Sequence, residues 1–226
     1  MSTLKADPKP IAPAPMPEAA GGLRPPRQRR SRDSLDRVMR AGLELLREGG
    51  YEAFTIAELS RRAGVSVGTV YGRFASKRAL FLAIHRGYVE QMNGEWSLTE
   101  SEANSLPTPE LIRRLVSEVV GGFERHGRTL RVFMLRAGTD EDVYKQAQEG
   151  IALLSARFNS PLLARADQLA HPDPKVGADV AFHMVFGTAA RRAMYGSALE
   201  SGIELSWTRL ADEMGTACVA YLLGAE

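Results

Sequence analysis

The sequence predicts an all-α protein of two helical domains behind a polar tail, and three observations predict it. Apolar residues recur at the three-to-four spacing of a buried helix face in segment after segment. Residues with capping or breaking chemistry stand at the junctions between those segments. The stretch Thr55–Phe81, TIAELSRRAGVSVGTVYGRFASKRALF, reads as two short helices joined by a tight turn and followed at once by a longer helix.

That stretch organises the chain. Thr55 followed three residues later by Glu58 is a capping box, in which side chains and backbone satisfy each other at a helix start. Ile56, Leu59 and Ala63 give this helix its apolar face. Gly64 falls where it must stop, a position favouring a left-handed backbone, and Ser66 caps the next helix. There Val70 and Phe74 face inward, four residues apart. Val67, Gly68, Thr69, Gly72 and Arg73 are left toward solvent or a partner, with Tyr71 at the edge. Helix, short glycine-containing turn, then helix with a small and polar exposed face is the helix-turn-helix pattern that places its second helix in the DNA major groove.

The run Ala63–Leu80, AGVSVGTVYGRFASKRAL, resembles the signature of the TetR/AcrR family of bacterial transcriptional regulators. Ala63, Gly64, Val65, Ser66, Gly68, Thr69, Tyr71, Phe74 and Lys77 stand where that family's pattern has them, and the resemblance covers roughly residues 33–85. It implies a three-helix DNA-binding domain, a larger C-terminal helical domain for ligand binding and dimerisation, and a repressor that binds a near-palindromic operator as a homodimer and is released by a small molecule. An activator, a regulator of the same fold without a ligand, or a helical enzyme or carrier are the alternatives.

Composition sets bounds. The chain has 226 residues, 44% apolar and 25% charged, enough to bury a substantial core. No run approaches the ~20 apolar residues that span a bilayer, and the N-terminus lacks the apolar core of a secretory signal, so a cytoplasmic protein is expected. A single cysteine, Cys218, excludes an intrachain disulfide framework; it is a buried small hydrophobe or a redox-sensing thiol. Lys and Arg against Asp and Glu number 7 to 2 in residues 1–32, 9 to 8 in 33–97 and 13 to 17 in 98–226, or +5, +1 and −4. A basic front and an acidic rear direct the N-terminal part toward a polyanion.

In chain order, residues 1–32 are a tail. Its proline-rich part, to about residue 26, cannot bury enough apolar surface to order itself. It ends in Arg27-Gln28-Arg29-Arg30-Ser31-Arg32, a basic arm for phosphates or a narrow minor groove, or a solubilising tail. A DNA-binding domain with its linking helix follows over 33–97. Its first helix, about 33–48, carries Leu35, Val38, Met39, Gly42, Leu45 and Leu46 as one stripe and ends at Gly49-Gly50. Ser76 caps a helix carrying Leu80, Phe81, Ile84, Tyr88 and Met92.

An effector-binding and dimerisation domain is expected over 98–226, after a loop at 97–107. Leu111, Leu115, Val119 and Phe123 share a helix face until Gly127, and a separate short helix spans 129–137. Asp140 opens a helix with Val143, Ala147, Ile151, Leu154 and Phe158 inward, kinked or interrupted at Pro161. Two long helices, about 174–200 and 206–223, close the chain. The first is apolar on more than one face, as a helix deep in a core or against another subunit would be. The family resemblance implies that this pair makes the dimer interface.

For DNA, Thr69 and Tyr71 offer hydroxyls to the backbone, Lys77 adds charge near a helix N-terminus, and Thr55 is a further candidate contact. Ser66, Val67 and Gly68 are candidates for base reading. Arg73 either grips guanine in two places or binds phosphate alone. The resemblance further implies an effector pocket after residue 98, for which Phe123, Phe133, Met134, Arg136, Phe158, His183, Met184 and Phe186 are candidates, most of them equally good core residues; they suit a hydrophobic ligand. Catalytic material is scarce. Gly64, Gly68 and Gly72 lack the lysine and serine spacing of a phosphate loop, and His85, His126, His171 and His183 are scattered without a metal-ligand pair. No catalytic residue, cofactor or metal is expected.

Overall fold

A computed structural model of the chain describes residues 26–196 and 202–224, with side chains from Ser31 on. The described part is helical, with no strand: α1 (Pro26–Ala53), α2 (Ile56–Ala63), α3 (Val67–Tyr71), α4 (Lys77–Gly94), α5 (Glu100–Ser105), α6 (Thr108–Ala137), α7 (Glu141–Leu163), a 3-10 turn (Ala166–Gln168), α8 (Pro174–Tyr195) and α9 (Trp207–Leu223). None of these helices is long and apolar enough to cross a membrane. The proline-rich tail lies outside the described residues.

The chain forms two compact units. The first takes the described residues up to Gly94 together with Val132–Ala147; the second takes Glu95–Arg131 and the described residues from Gln148 on. Helices α6 and α7 each contribute to both.

In the first unit α1 starts earlier than its apolar stripe indicates, at Pro26, so the basic arm's backbone is already helical. The expected stop is a kink rather than an end. Gly50 adopts φ 68° and ψ −165°, a conformation open chiefly to glycine, and a last turn runs on to Ala53. Val38, Met39, Leu45 and Leu46 are buried, as the stripe requires. At the crossing a Cβ on Gly42 would meet Ile84 Cδ1 at 2.4 Å and Leu59 Cδ1 at 3.1 Å. The bare backbone therefore sets how closely α1 approaches α2 and α4. Around Phe81 the core is aromatic: Tyr51 meets it edge-on at 4.9 Å, with Phe54 at 6.4 Å and Phe133 at 5.5 Å.

Residues 132–147 are tied to this unit by polar contacts. Asp140 caps α7, accepting from the amides of Asp142 and Val143. Its carboxylate also receives Arg78 through two nitrogens, at 3.0 and 2.8 Å, and Arg78 extends to Asp142 at 2.5 Å. The Arg78 guanidinium holds the Asp140 carboxyl below its ordinary range. His85 is buried, with Nδ1 3.0 Å from Gln146 Oε1 and its ring 4.5 Å from that of Phe133.

In the second unit Leu111, Ile112, Leu115, Val116 and Val119 of α6 join Phe158, Phe182, Val185 and Leu222 in the core. Several expectations are corrected here. Residues 100–105 form a short helix capped by Thr99 rather than a loop. Gly127 does not end α6, which runs unbroken to Ala137; a Cβ there would make only ordinary contact, 3.5 Å from that of Ala193, and the buried face that continues through Phe133 carries the helix past a residue of poor propensity. Pro161 lies inside α7 and does not stop it at once, but the helix ends two residues later, at Leu163. Ile151 is exposed, although Val143 and Phe158 on the same predicted stripe are buried. Helix α8 ends at Tyr195. In α9 Cys218 is fully buried, and burial pushes its thiol up to about 11.

Arg165 secures the start of this unit. It donates to the carbonyls of Ala103 at 2.6 Å, Asn104 at 3.2 Å and Leu106 at 2.7 Å, and to Thr108 Oγ1 at 3.2 Å, satisfying the C-terminal end of α5 and the turn into α6. Replacing Arg165 with Met keeps the apolar stem and removes these bonds, and is expected to destabilise the protein by about 1–3 kcal/mol. Urea denaturation followed by circular dichroism measures it; a midpoint equal to that of the parent would rule out a structural role for these bonds.

Candidate nucleic-acid interface

Local chemistry builds the helix-turn-helix element. Thr55 is extended, at φ −111° and ψ 148°, and its hydroxyl accepts from the Glu58 amide. The second half of the expected capping box is absent. Glu58 instead receives Arg61 at 2.8 and 2.6 Å and Arg62 at 2.8 Å, which hold its carboxyl down to about 2. Gly64 takes the left-handed conformation, φ 61° and ψ 41°, and its N–H closes α2 on the Ser60 carbonyl. Ser66 starts α3, accepting from the Thr69 amide at 3.1 Å, and the two hydroxyls lie 2.8 Å apart.

Helix α3 is pinned by one buried side chain, Val70. Around it Ser66, Val67, Gly68, Thr69, Tyr71 and Arg73 are all exposed, with Val67 at 44% and Tyr71 at 52%. The exposed face of α3 thus carries an apolar valine and tyrosine beside two glycines. Thr55 is exposed at the start of α2.

Two predicted contact residues are engaged within the protein. The Arg73 guanidinium reaches back to the start of α1, donating to the Ser31 carbonyl at 2.7 Å, to the Ser31 hydroxyl at 2.5 Å and to Ser34 at 3.3 Å. Lys77 is half-buried; its ammonium donates to the Tyr51 carbonyl at 3.0 Å and lies 4.3 Å from the centre of the Tyr51 ring, across which Arg136 packs at the same distance. Arg62 joins Glu48 as well as Glu58.

The eight effector candidates are divided. Phe133, Met134 and Arg136 belong to the first unit, where Phe133 packs on Phe81, His85 and Tyr88. In the second unit Phe123, Phe186, Phe182 and Phe158 form a row of rings with centres 5.2, 5.6 and 5.7 Å apart. His183 and Met184 instead face outward on α8, the histidine side chain 67% exposed. Sequence reasoning missed a polar cluster of Glu95, Ser97, Arg114, Glu118, Arg125 and His126. Its signal was Glu118, a charge one residue from the apolar stripe of α6. Among the described residues no group of three or more His, Cys, Asp or Glu side chains is arranged to hold a metal ion.

Residues 38–84 match the family model described as bacterial regulatory proteins, tetR family. No curated protein matches the chain. Solved structures do. One is described as a TetR-family transcriptional regulator from Mesorhizobium loti, 20% identical, with 85% of this chain and 96% of that one covered at a TM-score of 0.63. A transcriptional regulator from Rhodococcus sp. Rha1 is 19% identical over 84% and 96%, at 0.64. The regulator FadR from Bacillus subtilis, in complex with stearoyl-CoA, is 16% identical over 84% and 98%, at 0.59. Residues 38–84 thus form a helix-turn-helix domain of the TetR family of bacterial regulatory proteins, on a chain that has the fold of TetR-family transcriptional regulators.

Proposed function

We propose that the protein is a repressor that binds a near-palindromic operator as a homodimer and leaves it when a small molecule binds the C-terminal domain, with the organisation 33–97 for DNA and 98–226 for effector and dimerisation. The observation that carries the reading is the exposed face of α3, which presents Val67, Gly68 and Thr69 around a single buried anchor, Val70. Val67 suits a thymine methyl, and Gly68 leaves room for close approach. Thr55, Thr69 and Tyr71 offer hydroxyls to phosphates, and Ser66 sits at the helix start. Arg73, drawn toward Ser31 and Ser34, suits a phosphate beside the basic arm better than a base edge. Lys77 reaches a phosphate only by leaving the Tyr51 ring.

Dimerisation is supported by α8. Val176, Val180 and Met184, at four-residue spacing, are 49%, 38% and 36% exposed, while Phe182, Val185 and Ala189 fill the core from the opposite face. Such a stripe is suited to a second copy. The row of phenylalanines in the second unit supports a hydrophobic effector, and the stearoyl-CoA in the Bacillus subtilis FadR structure is a ligand of that kind.

Fluorescence anisotropy against DNA from upstream of the protein's own coding region, with a scrambled control at two salt concentrations, tests the reading. A preference of ~10³-fold or more, at two chains per site, is expected of a specific dimeric reader. Gly68→Glu should reduce operator affinity to that of the scrambled DNA. It should leave folding intact, since the nearest atom to an added Cβ, Ser66 Oγ, is 3.8 Å away. Undiminished binding by this variant would remove α3 from the interface.

A further inference from the structure

The second unit contains a cavity of about 430 Å³ lined by Glu95, Ser97, Arg114, Ser117, Glu118 and Arg125. Every lining residue is polar, and four of the six carry charge, two of each sign. Nothing in the reading of the chain as a DNA-binding regulator uses this group, and it shares no residue with the row of phenylalanines.

The walls are organised in two parts. At one end the Glu118 carboxylate is 5% exposed, and it accepts from Arg114 Nη1 at 2.5 Å, from the Ser97 hydroxyl at 2.5 Å and from the Ser97 amide at 3.3 Å. Arg114 also donates to Ser97 at 2.8 Å and reaches Glu102 at 3.3 Å. A charge buried so deeply is costly unless paired this fully. At the other end Arg125 is held less firmly. Its Nε stands 3.4 Å from Glu95, beyond the 2.7–2.9 Å of a good charge-assisted bond, and its side chain is 48% exposed. Glu95 also pairs with the buried His126 at 2.7 Å. Glu118 and Arg125 lie seven residues apart on α6, roughly 10 Å along its axis. Arg125 folds back over the intervening turn, its Nη1 3.1 Å from where a Cβ on Gly121 would stand. That glycine leaves the room the guanidinium uses, in mid-helix where alanine would be about 1 kcal/mol better.

We infer that this cavity is a binding site for a small zwitterion of the amino-acid class, its carboxylate taken by Arg125 and its ammonium by the Glu95 carboxylate beside it, with the self-paired Glu118 and Arg114 forming the fixed wall. The charge balance carries the choice. The Glu118–Arg114 pair neutralises itself, so a simple anion entering here meets Glu95 beside Arg125, and a simple cation meets Arg125 beside Glu95. Each gains one favourable interaction and suffers one of the opposite sign. A molecule with both charges satisfies both groups, and the weakly engaged Arg125 moves onto it at little cost. Ser117 on the lining donates to the Arg113 carbonyl and leaves its oxygen to accept from the ligand.

Calorimetric titration of the full chain, without DNA, against the common L-amino acids and γ-aminobutyrate tests this, each compound being paired with its amide and its N-acetyl derivative. At least one zwitterion should bind with Kd below ~1 mM, and its singly charged derivatives at least about tenfold more weakly. Arg125→Ala and Ser117→Tyr should each weaken that binding by about tenfold or more. Both positions are substantially exposed, so neither variant threatens the fold, which circular dichroism verifies. The cavity holds only solvent if no zwitterion binds below that limit, if the singly charged derivatives bind as well, or if binding survives both substitutions. Because the assay contains no operator, failure here leaves the regulator reading intact, and failure of that reading leaves this result standing.

Discussion

Replacing Phe81 with alanine is expected to destabilise the DNA-binding unit by about 3–5 kcal/mol, the cost of removing a large buried aromatic side chain. Phe81 is fully buried. Its ring receives Tyr51 edge-on, the planes at 88°, and touches Phe54 and Phe133, so truncation leaves a void bordered by three aromatic residues that cannot all close upon it. Tyr51 and Phe54 hold the chain between α1 and α2, and Phe133 comes from the end of α6. Denaturation followed by circular dichroism, with amide exchange in α4 locating the effect, measures the loss. A change below ~1 kcal/mol would mean that the neighbouring rings repack and that the cluster is not a rigid core.

Acid should weaken the same unit through His85 well before its carboxylates titrate. Burial against Phe133 lowers the histidine from its ordinary 6.5 to about 4, partly opposed by the hydrogen bond to Gln146. The folded state thus keeps the ring neutral while the unfolded chain takes up a proton. Stability is complete above pH ~6.5, falls as the pH drops below that, and levels off below pH ~4, once both states are protonated; the total loss is as much as about 3 kcal/mol. The paired carboxylate of Asp140 behaves in the opposite sense. Held below its ordinary 3.8, it stabilises the fold above that pH and is lost only as the pH falls further. The two effects therefore occupy different windows. Amide exchange in α4 between pH 6.5 and 4 should show protection falling in the parent and nearly constant in His85→Gln. Parallel curves would show that the acid response originates elsewhere.

The parts of the fold legible in the sequence were those governed by neighbours three or four residues away. Thr55, Gly64, Ser66, Ser76 and Asp140 each act within one turn, and each does what its residue type allows at its place. The α1 stripe was legible for the same reason, as was the face of α3, which needs only the knowledge that Val70 is the anchor. What escaped depends on partners distant in the chain. Arg78 finds Asp140 across 62 residues. Arg165 reaches α5 across as many. Glu58 had two possible partners, its own helix start and the arginines that follow, and charge decided for the arginines. Gly127 carries a stop signal that the buried face of α6, continuing beyond it to Phe133, overrides. Among the effector candidates, periodicity identified buried faces without saying which neighbours they bury against, so Phe133 and Phe158, both core residues, fall in different units.

The buried Cys218 has a practical consequence. It is the chain's only cysteine, and its thiol, fully enclosed in α9 and raised to about 11, stays protonated and unreactive toward maleimides at neutral pH. The natural protein is thus already a blank background for site-specific labelling. A cysteine introduced at an exposed position such as Val67 or Tyr144 would be the single reactive sulfur, and two such positions would place a dye pair for distance measurements without any residue of the native core being altered.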